Sequence, residues 1–363
     1  MDILITLSVY YYNMSKKYTS LWDRQLTNNE LEKAKNNSNL IRGIYKERYS
    51  VPKKKFTKEY DKKLRTQLKG VYKQINNDVE KAYCKIKIRN KKGRPLKDRK
   101  QLTKLHLLQN QFNISNRDME AFADLFLLNG YETYSYKTIE RAYEDQIVQM
   151  ILHNVYILSC GKPREFDGSA DGTGQTLVIY KHYRTDRLKD LKNKEETSKR
   201  KEYIFSVAIV DIKTNIYVGF ATGFKSEKVL FLEALKMVKK NGFKIKSMVL
   251  DKGYSYQSIF SCFDKGVKVM TIPKSNATIK GPKEWKDMLK HWIRYPFGFL
   301  KKYFKRERSE ANFSRDKRKH GKIRQKITKR IENTSLVRTI LHNFAMKHIY
   351  SWLLSQSHTK ENI

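Results

Sequence analysis

Acidic residues, cysteines and long apolar runs are what this chain has least of. Its 363 residues hold 37 Asp and Glu against 76 Lys and Arg, a formal net charge of +39. That excess points to a polyanion as partner, either nucleic acid or an anionic membrane surface. No apolar run approaches the roughly 18 to 20 residues that a membrane span requires, so no membrane partner is expected. Residues 1–13 are moderately apolar but carry Asp2 and no basic leader, which reads poorly as a signal peptide, and a cytoplasmic location is expected. The three cysteines, Cys84, Cys160 and Cys262, lie far apart without a CxxC pair. They exclude a cysteine-rich zinc site, suggest a reducing compartment, and are expected to be small buried hydrophobes.

What is present divides into three stretches, and the length suits two or three domains. The first, a basic region over 1–98, is rich in Lys and Asn and has weak helical periodicity around 61–85. It ends in Lys91-Lys92-Gly93-Arg94-Pro95-Leu96-Lys97. A Gly-Arg-Pro core between lysines can lie in an AT-rich minor groove, which makes Arg94 a candidate DNA contact. A plain linker is the alternative.

The second stretch, 99–160, reads as helical. Leu102, Leu105, Leu108 and Phe112 share a face, and 110–113 looks like a break. Ser115 and Asp118 form a capping box for a helix carrying Met119, Phe122, Ala123, Phe126 and Leu127, which Gly130 stops. A further helix starts near Lys137 with Ile139, Ala142, Tyr143 and Ile147 inside. Helices joined by short turns in a basic chain suggest a helix-turn-helix DNA-binding domain. A small bundle that touches no DNA is the alternative.

The third stretch, 161–363, changes to strand periodicity after Gly161. Asp171-Gly-Thr-Gly174 leads into β-forming residues, and a charged insertion follows at 186–201. Two apolar runs, 203–210 and 216–221, flank a hairpin turn at Lys213-Thr-Asn. Ser226 starts a helix that Asn241-Gly242 closes, a strand follows at 245–250, and Asp251 stands at its end. A helix at 256–263, a strand at 267–272 and a final helix at 334–354 complete the pattern. This order is that of an α/β ribonuclease-H-like fold, a mixed sheet with flanking helices. In such a fold Asp171, Asp251 and Glu310 converge on one sheet edge. Three carboxylates brought together raise one another's pKa unless cations neutralise them, and hard oxygen donors favour Mg²⁺ or Mn²⁺.

The region from Lys301 to Arg330 holds 14 Lys and Arg against 3 acids. If helical, it sets Tyr303, Arg306, Glu310 and Lys317 on one face, because they follow at steps of 3, 4 and 7. Taken alone, such a run can be a solvated basic helix. The spacing, however, resembles the Tyr-Arg-Glu-Lys signature of insertion-sequence transposases of the DDE class, and matches it at every position. Asp251-Lys-Gly-Tyr254 after a strand is similar to that family's second-aspartate motif. Asp171-Gly-Thr-Gly174 is similar to the first, which favours Asp171 over the competing Asp167. Ile272-Pro-Lys-Ser-Asn276 also resembles a family segment. The order of the Gly-Arg-Pro motif, a helix, Ile-Ser-Asn-Arg-Asp and a second helix is loosely similar to the family's N-terminal domain.

The resemblance implies catalysis at Asp171, Asp251 and Glu310 through two Mg²⁺ or Mn²⁺ ions, with Tyr303, Arg306 and Lys317 on DNA phosphates. It also implies double-stranded DNA as partner, cleavage of element ends, joining of the 3′-OH to target DNA, nucleoid association and a homodimer holding two ends. Two alternatives stand beside it: a metal-dependent nuclease of the same fold that does not join strands, and a regulator that only binds DNA. Only 59 positions separate Asp251 from Glu310, too few for a large inserted β-domain. An aromatic that handles a flipped base would have to come from elsewhere, Trp285 or Trp292, although both read better as core.

Overall fold

A computed structural model describes residues 25–49, 58–87, 97–125, 133–178 and 203–360, though not the side chains of 58–64 and 352–360. Arg94 with its Gly-Arg-Pro motif, and the charged insertion at 186–201, lie outside the described residues. Among the described residues six helices come first: α1 (Asn28–Tyr49), α2 (Lys58–Tyr83), α3 (Arg99–Phe112), α4 (Asn116–Leu125), α5 (Tyr136–Ala142) and α6 (Gln146–Cys160). Strands β1 (Glu165–Thr176), β2 (Tyr203–Asp211) and β3 (Tyr217–Gly223) follow, then α7 (Glu227–Lys240), β4 (Lys244–Leu250) and β5 (Lys268–Met270). The chain closes with α8 (Lys283–Arg294), α9 (Pro296–Tyr303), α10 (Glu307–His320) and α11 (Thr328–Lys360). The five strands form one mixed sheet in the order β3-β2-β1-β4-β5.

By density of internal contacts the chain separates into two compact units, 1–53 with 249–305 and 54–248 with 306–363. The larger is built on the long antiparallel ladder of β1 and β2, in register from Gly168 opposite Asp211 to Thr176 opposite Tyr203. β2 continues antiparallel to β3 through the expected turn, where Asn215 takes a left-handed φ of 59°. α7 covers one face. At Gly219 a Cβ would stand 2.7 Å from the Ala234 carbonyl, so only glycine lets helix and strand approach this closely. α10 and α11 cover the opposite face.

α11 is the axis of the larger unit. Val337, Ile340, Leu341, Phe344 and Met346 are at most 2% exposed, with apolar residues on every side, as a helix enclosed by others must be. It packs on α2, α3 and α6 as well as on β3. Asn343 completes the edge of β3: its Oδ1 accepts from the Tyr217 N–H at 2.8 Å and its Nδ2 donates to the Tyr217 carbonyl at 3.0 Å. Without that amide the buried Tyr217 N–H would lose its partner, whereas the carbonyl would keep the Tyr156 hydroxyl at 3.2 Å.

Several local expectations hold. Ser115 and Asp118 make the capping box, with Asp118 N donating to Ser115 Oγ at 3.1 Å and Ser115 N to Asp118 Oδ2 at 3.3 Å. Asn113 ends α3 in the left-handed conformation. Others are corrected. The helix expected through 137–147 is two helices, because the Asp145 carboxylate accepts from the Ile147 and Val148 N–H groups and starts α6 afresh. The segment at 256–263 is a 3-10 turn over Gln257–Cys262. Of the cysteines only Cys160 is buried; Cys84 is exposed and Cys262 partly so.

The smaller unit is held by aromatic side chains. Trp285, 1% exposed, meets the edge of Phe260 at 5.3 Å and donates its indole N–H to the Thr278 carbonyl at 2.9 Å. Trp285, Met288, Leu289 and Trp292 form the buried face of α8, so both tryptophans are core. Tyr45 of α1 stacks on Phe304 at 5.1 Å, and Lys35 reaches the Ala277 carbonyl at 2.7 Å.

Candidate active site

Alternation along β1 decides what faces the helices. A side chain at Gly172 would strike Glu227 of α7, so Ser169, Asp171, Thr173 and Gln175 share the opposite face. On that face Ser169 Oγ lies 3.0 Å from Ser309 Oγ of α10, and Gln175 Oε1 accepts from Ser335 of α11 at 3.2 Å. Asp171 stands between these two ties. The competing Asp167 accepts from Ser247 Oγ of β4 at 2.6 Å.

α10 is not the continuous helix that the signature's spacing suggested. α9 ends at Tyr303, a 3-10 turn occupies Phe304–Arg306, and α10 begins at Glu307. The four signature residues therefore do not share one helix face. Tyr303 belongs to the smaller unit, where it is 3% exposed and stacks on Phe299 at 6.1 Å. Within α10, Ser309, Asn312, Phe313 and His320 are buried, which leaves Glu310 and Lys317, seven residues apart, on the exposed side.

Arg306, at the start of α10, links the two acids of the larger unit. Its Nη1 lies 2.6 Å from Glu310 Oε1 and 3.9 Å from Asp171 Oδ2. The Arg306 and Asp171 side chains are 15% and 16% exposed and that of Glu310 is 49% exposed. With Glu310 half in water, such a pair contributes only about 0.2–1 kcal/mol. Asp171 and Glu310 present hard oxygen donors, the kind Mg²⁺ and Mn²⁺ take, and positive charge already stands between them, so chemically the pair suits such an ion.

Asp251 lies in the smaller unit, directly after β4. It caps the 3-10 turn Lys252–Tyr254, with Oδ2 accepting weakly from the Gly253 N–H at 3.3 Å, and its carbonyl accepts from Thr271 Oγ1 at 3.0 Å. Among the described residues no group of three or more His, Cys, Asp and Glu stands close enough to hold a metal ion. Asp171 and Glu310 are thus the two predicted acids placed around a shared cation.

Beyond them the β1 face opens into a cavity of about 210 Å³ lined by Thr173, Gln175, Phe220, Lys317 and Thr339 among others. At its wall lies a polar cluster that the sequence did not reveal. Asp316 accepts from Tyr217 Oη at 2.8 Å and from His342 Nδ1 at 2.8 Å, while His342 Nε2 faces the Asn215 carbonyl at 3.0 Å. Both ring nitrogens thus lie against oxygen atoms. Burial tends to raise the Asp316 carboxyl, but the charge of His342 and the hydrogen bonds from His342 and Tyr217 outweigh it and hold it below its ordinary value.

No known protein-family profile matches the chain. It is 40% identical over 276 residues to the probable transposase for insertion sequence element ISA1214 of Archaeoglobus fulgidus. The match spans 74% of this chain and 82% of that protein. Identity of that level over most of both lengths shows that this chain belongs to the family of insertion-sequence transposases.

Proposed function

We propose that the protein is a DDE transposase that binds the ends of its element, cleaves them and joins the freed 3′-OH to target DNA. The observation that carries this reading is the placement of Asp171 and Glu310 around a single cationic group, Arg306. The strand order β3-β2-β1-β4-β5 is compatible with the ribonuclease-H-like fold on which such chemistry is expected. Asp251, directly after β4, is the proposed third acid.

Asp171, Asp251 and Glu310 would hold two Mg²⁺ or Mn²⁺ ions. When bound, such ions lower the pKa of an attacking hydroxyl and stabilise the leaving oxygen of the phosphate. The chain's own residues do the rest. β1 and α10 fix the two acids against each other through Ser169 and Ser309. Arg306 offers a two-pronged donor to a backbone phosphate, and Lys317, exposed on the face of Glu310, offers a point charge. Arg94 is proposed for the minor groove. Tyr303 has only its hydroxyl, at the end of a buried ring, to offer a phosphate. DNA as substrate fits the net charge of +39, and a homodimer would hold two ends together.

Glu310→Gln keeps size and hydrogen-bonding capacity but removes the charge. On a labelled end fragment with Mg²⁺ it should bind and not cut, and Ca²⁺ should support binding by the wild type without turnover. Normal cutting by Glu310→Gln would leave Glu310 as one more charge on a solvated helix and end this reading.

A further inference from the structure

We propose that Arg306 is a tethered counter-ion: without DNA it occupies the Asp171 and Glu310 carboxylates and opposes divalent cations, and a DNA phosphate draws it off, so that metal and DNA load together. The inference rests on the reading of these acids as metal ligands, and adds a coupling that the reading does not require.

Three features carry it. The first is position. One guanidinium nitrogen faces both carboxylates, at 2.6 Å and 3.9 Å. A divalent ion and the guanidinium cannot share Glu310 Oε1 without close like-charge repulsion. The second is the anchor. Ser309 Oγ donates to the Arg306 carbonyl at 2.7 Å and lies against Ser169 at 3.0 Å, so the backbone at Arg306 is pinned to β1. Exchange of partners then falls to the long, flexible side chain, with little demand on the fold. The third is strength. Glu310 is 49% exposed, so its hold on Arg306 is that of a half-solvated pair, whereas a phosphate offers the guanidinium two parallel charge-assisted bonds. Lys317, exposed on the face of Glu310, favours a phosphate at the same place.

Coupling of this kind is reciprocal: whatever factor DNA adds to metal affinity, metal adds to DNA affinity. The test is Mn²⁺ titration of the full-length protein, followed by the paramagnetic resonance of free Mn²⁺, with and without duplex DNA from the ends flanking the gene. Wild-type protein alone should bind Mn²⁺ weakly and tighten by about tenfold with DNA. Arg306→Gln alone should already bind about tenfold tighter than wild type, and DNA should add little to it. Arg306→Lys, which keeps the charge, should stay close to wild type.

Equal Mn²⁺ affinity of folded Arg306→Gln and wild type overturns the proposal. So does a wild-type affinity indifferent to DNA, a comparison that needs no substitution. Asp171→Asn and Glu310→Gln separate the two levels of the argument. Wild-type Mn²⁺ binding that survives both of them sinks the metal reading itself. Loss of binding in both, with Arg306→Gln unchanged, sinks only the role of Arg306.

Discussion

Ser169 of β1 and Ser309 of α10 meet hydroxyl to hydroxyl at 3.0 Å, each with no exposed surface. The contact stands two residues from Asp171 and one from Glu310, so it sets the spacing between strand and helix where both acids are carried. Ser309→Ala should cost about 1–3 kcal/mol, because it removes the bonds to Ser169 and to the Arg306 carbonyl inside the protein. Ser309→Leu should cost about 1–3 kcal/mol by overpacking, and should lower DNA cleavage more than its loss of stability explains, since it pushes Glu310 away from β1. Urea unfolding and end cleavage on the same preparations check both; equal activity in the two variants would show that the contact does not set the acids.

Lys317→Ala should weaken binding to the ends and reduce the slope of log affinity against log salt by about one unit, with cleavage reduced in part. Lys317 is exposed on the face of α10 that carries Glu310. Filter binding across a salt series measures this. An unchanged slope would mean that Lys317 contacts no phosphate.

Two buried histidines make acid stability testable. His106 Nε2 donates to the Ile139 carbonyl at 2.8 Å, and burial pushes its pKa down to about 4. His320 is pushed down to about 3, first by burial and then by the Lys319 and Arg338 charges. In the unfolded chain both titrate near about 6.5. Between there and the folded values the unfolded state binds more protons, so the stability these two histidines contribute is complete above about pH 6.5 and falls as the pH drops. Each proton contributes about 1.4 kcal/mol per pH unit within that window. Urea midpoints from pH 7 to 5 should fall less steeply in His106→Gln than in wild type; parallel curves would contradict the buried, neutral state.

Removing α11 should prevent folding of the larger unit, because α2, α3, α6 and β3 all pack on it. A chain ending at residue 327 should show the far-ultraviolet signature of a largely unfolded protein and rapid proteolysis. For the same reason a fragment covering only the N-terminal helices is a poor vehicle for DNA-binding measurements.

Local signals carried much of this architecture. The Ser115–Asp118 box, the Lys213-Thr-Asn turn and the Asn241-Gly242 stop involve residues a few positions apart, so their chemistry is complete in a short window of sequence. Asp145 was missed as a helix start because the apolar spacing runs through it without a break. The Tyr303–Arg306 break was missed for a related reason: signature spacing records which residues are kept, and not whether the backbone between them stays helical. Least legible were partners far apart in the chain. Asp316 counted only as one of three acids in a basic run; nothing near it names Tyr217 or His342. The Ser169–Ser309 contact spans 140 positions and leaves no trace in either neighbourhood.

The central place of α11 has a consequence in time. Helices α2, α3 and α6 leave the ribosome early, but the apolar surface that closes over them lies at 331–346. Synthesis at about 5–20 residues per second keeps them waiting for roughly ten seconds or more, with their inner faces open. Until 331–346 emerge, the larger unit lacks the helix that covers the β1 face bearing Asp171. A premature stop before residue 346 should therefore leave the inner faces of α2, α3 and α6 open, a product for proteases rather than a folded chain.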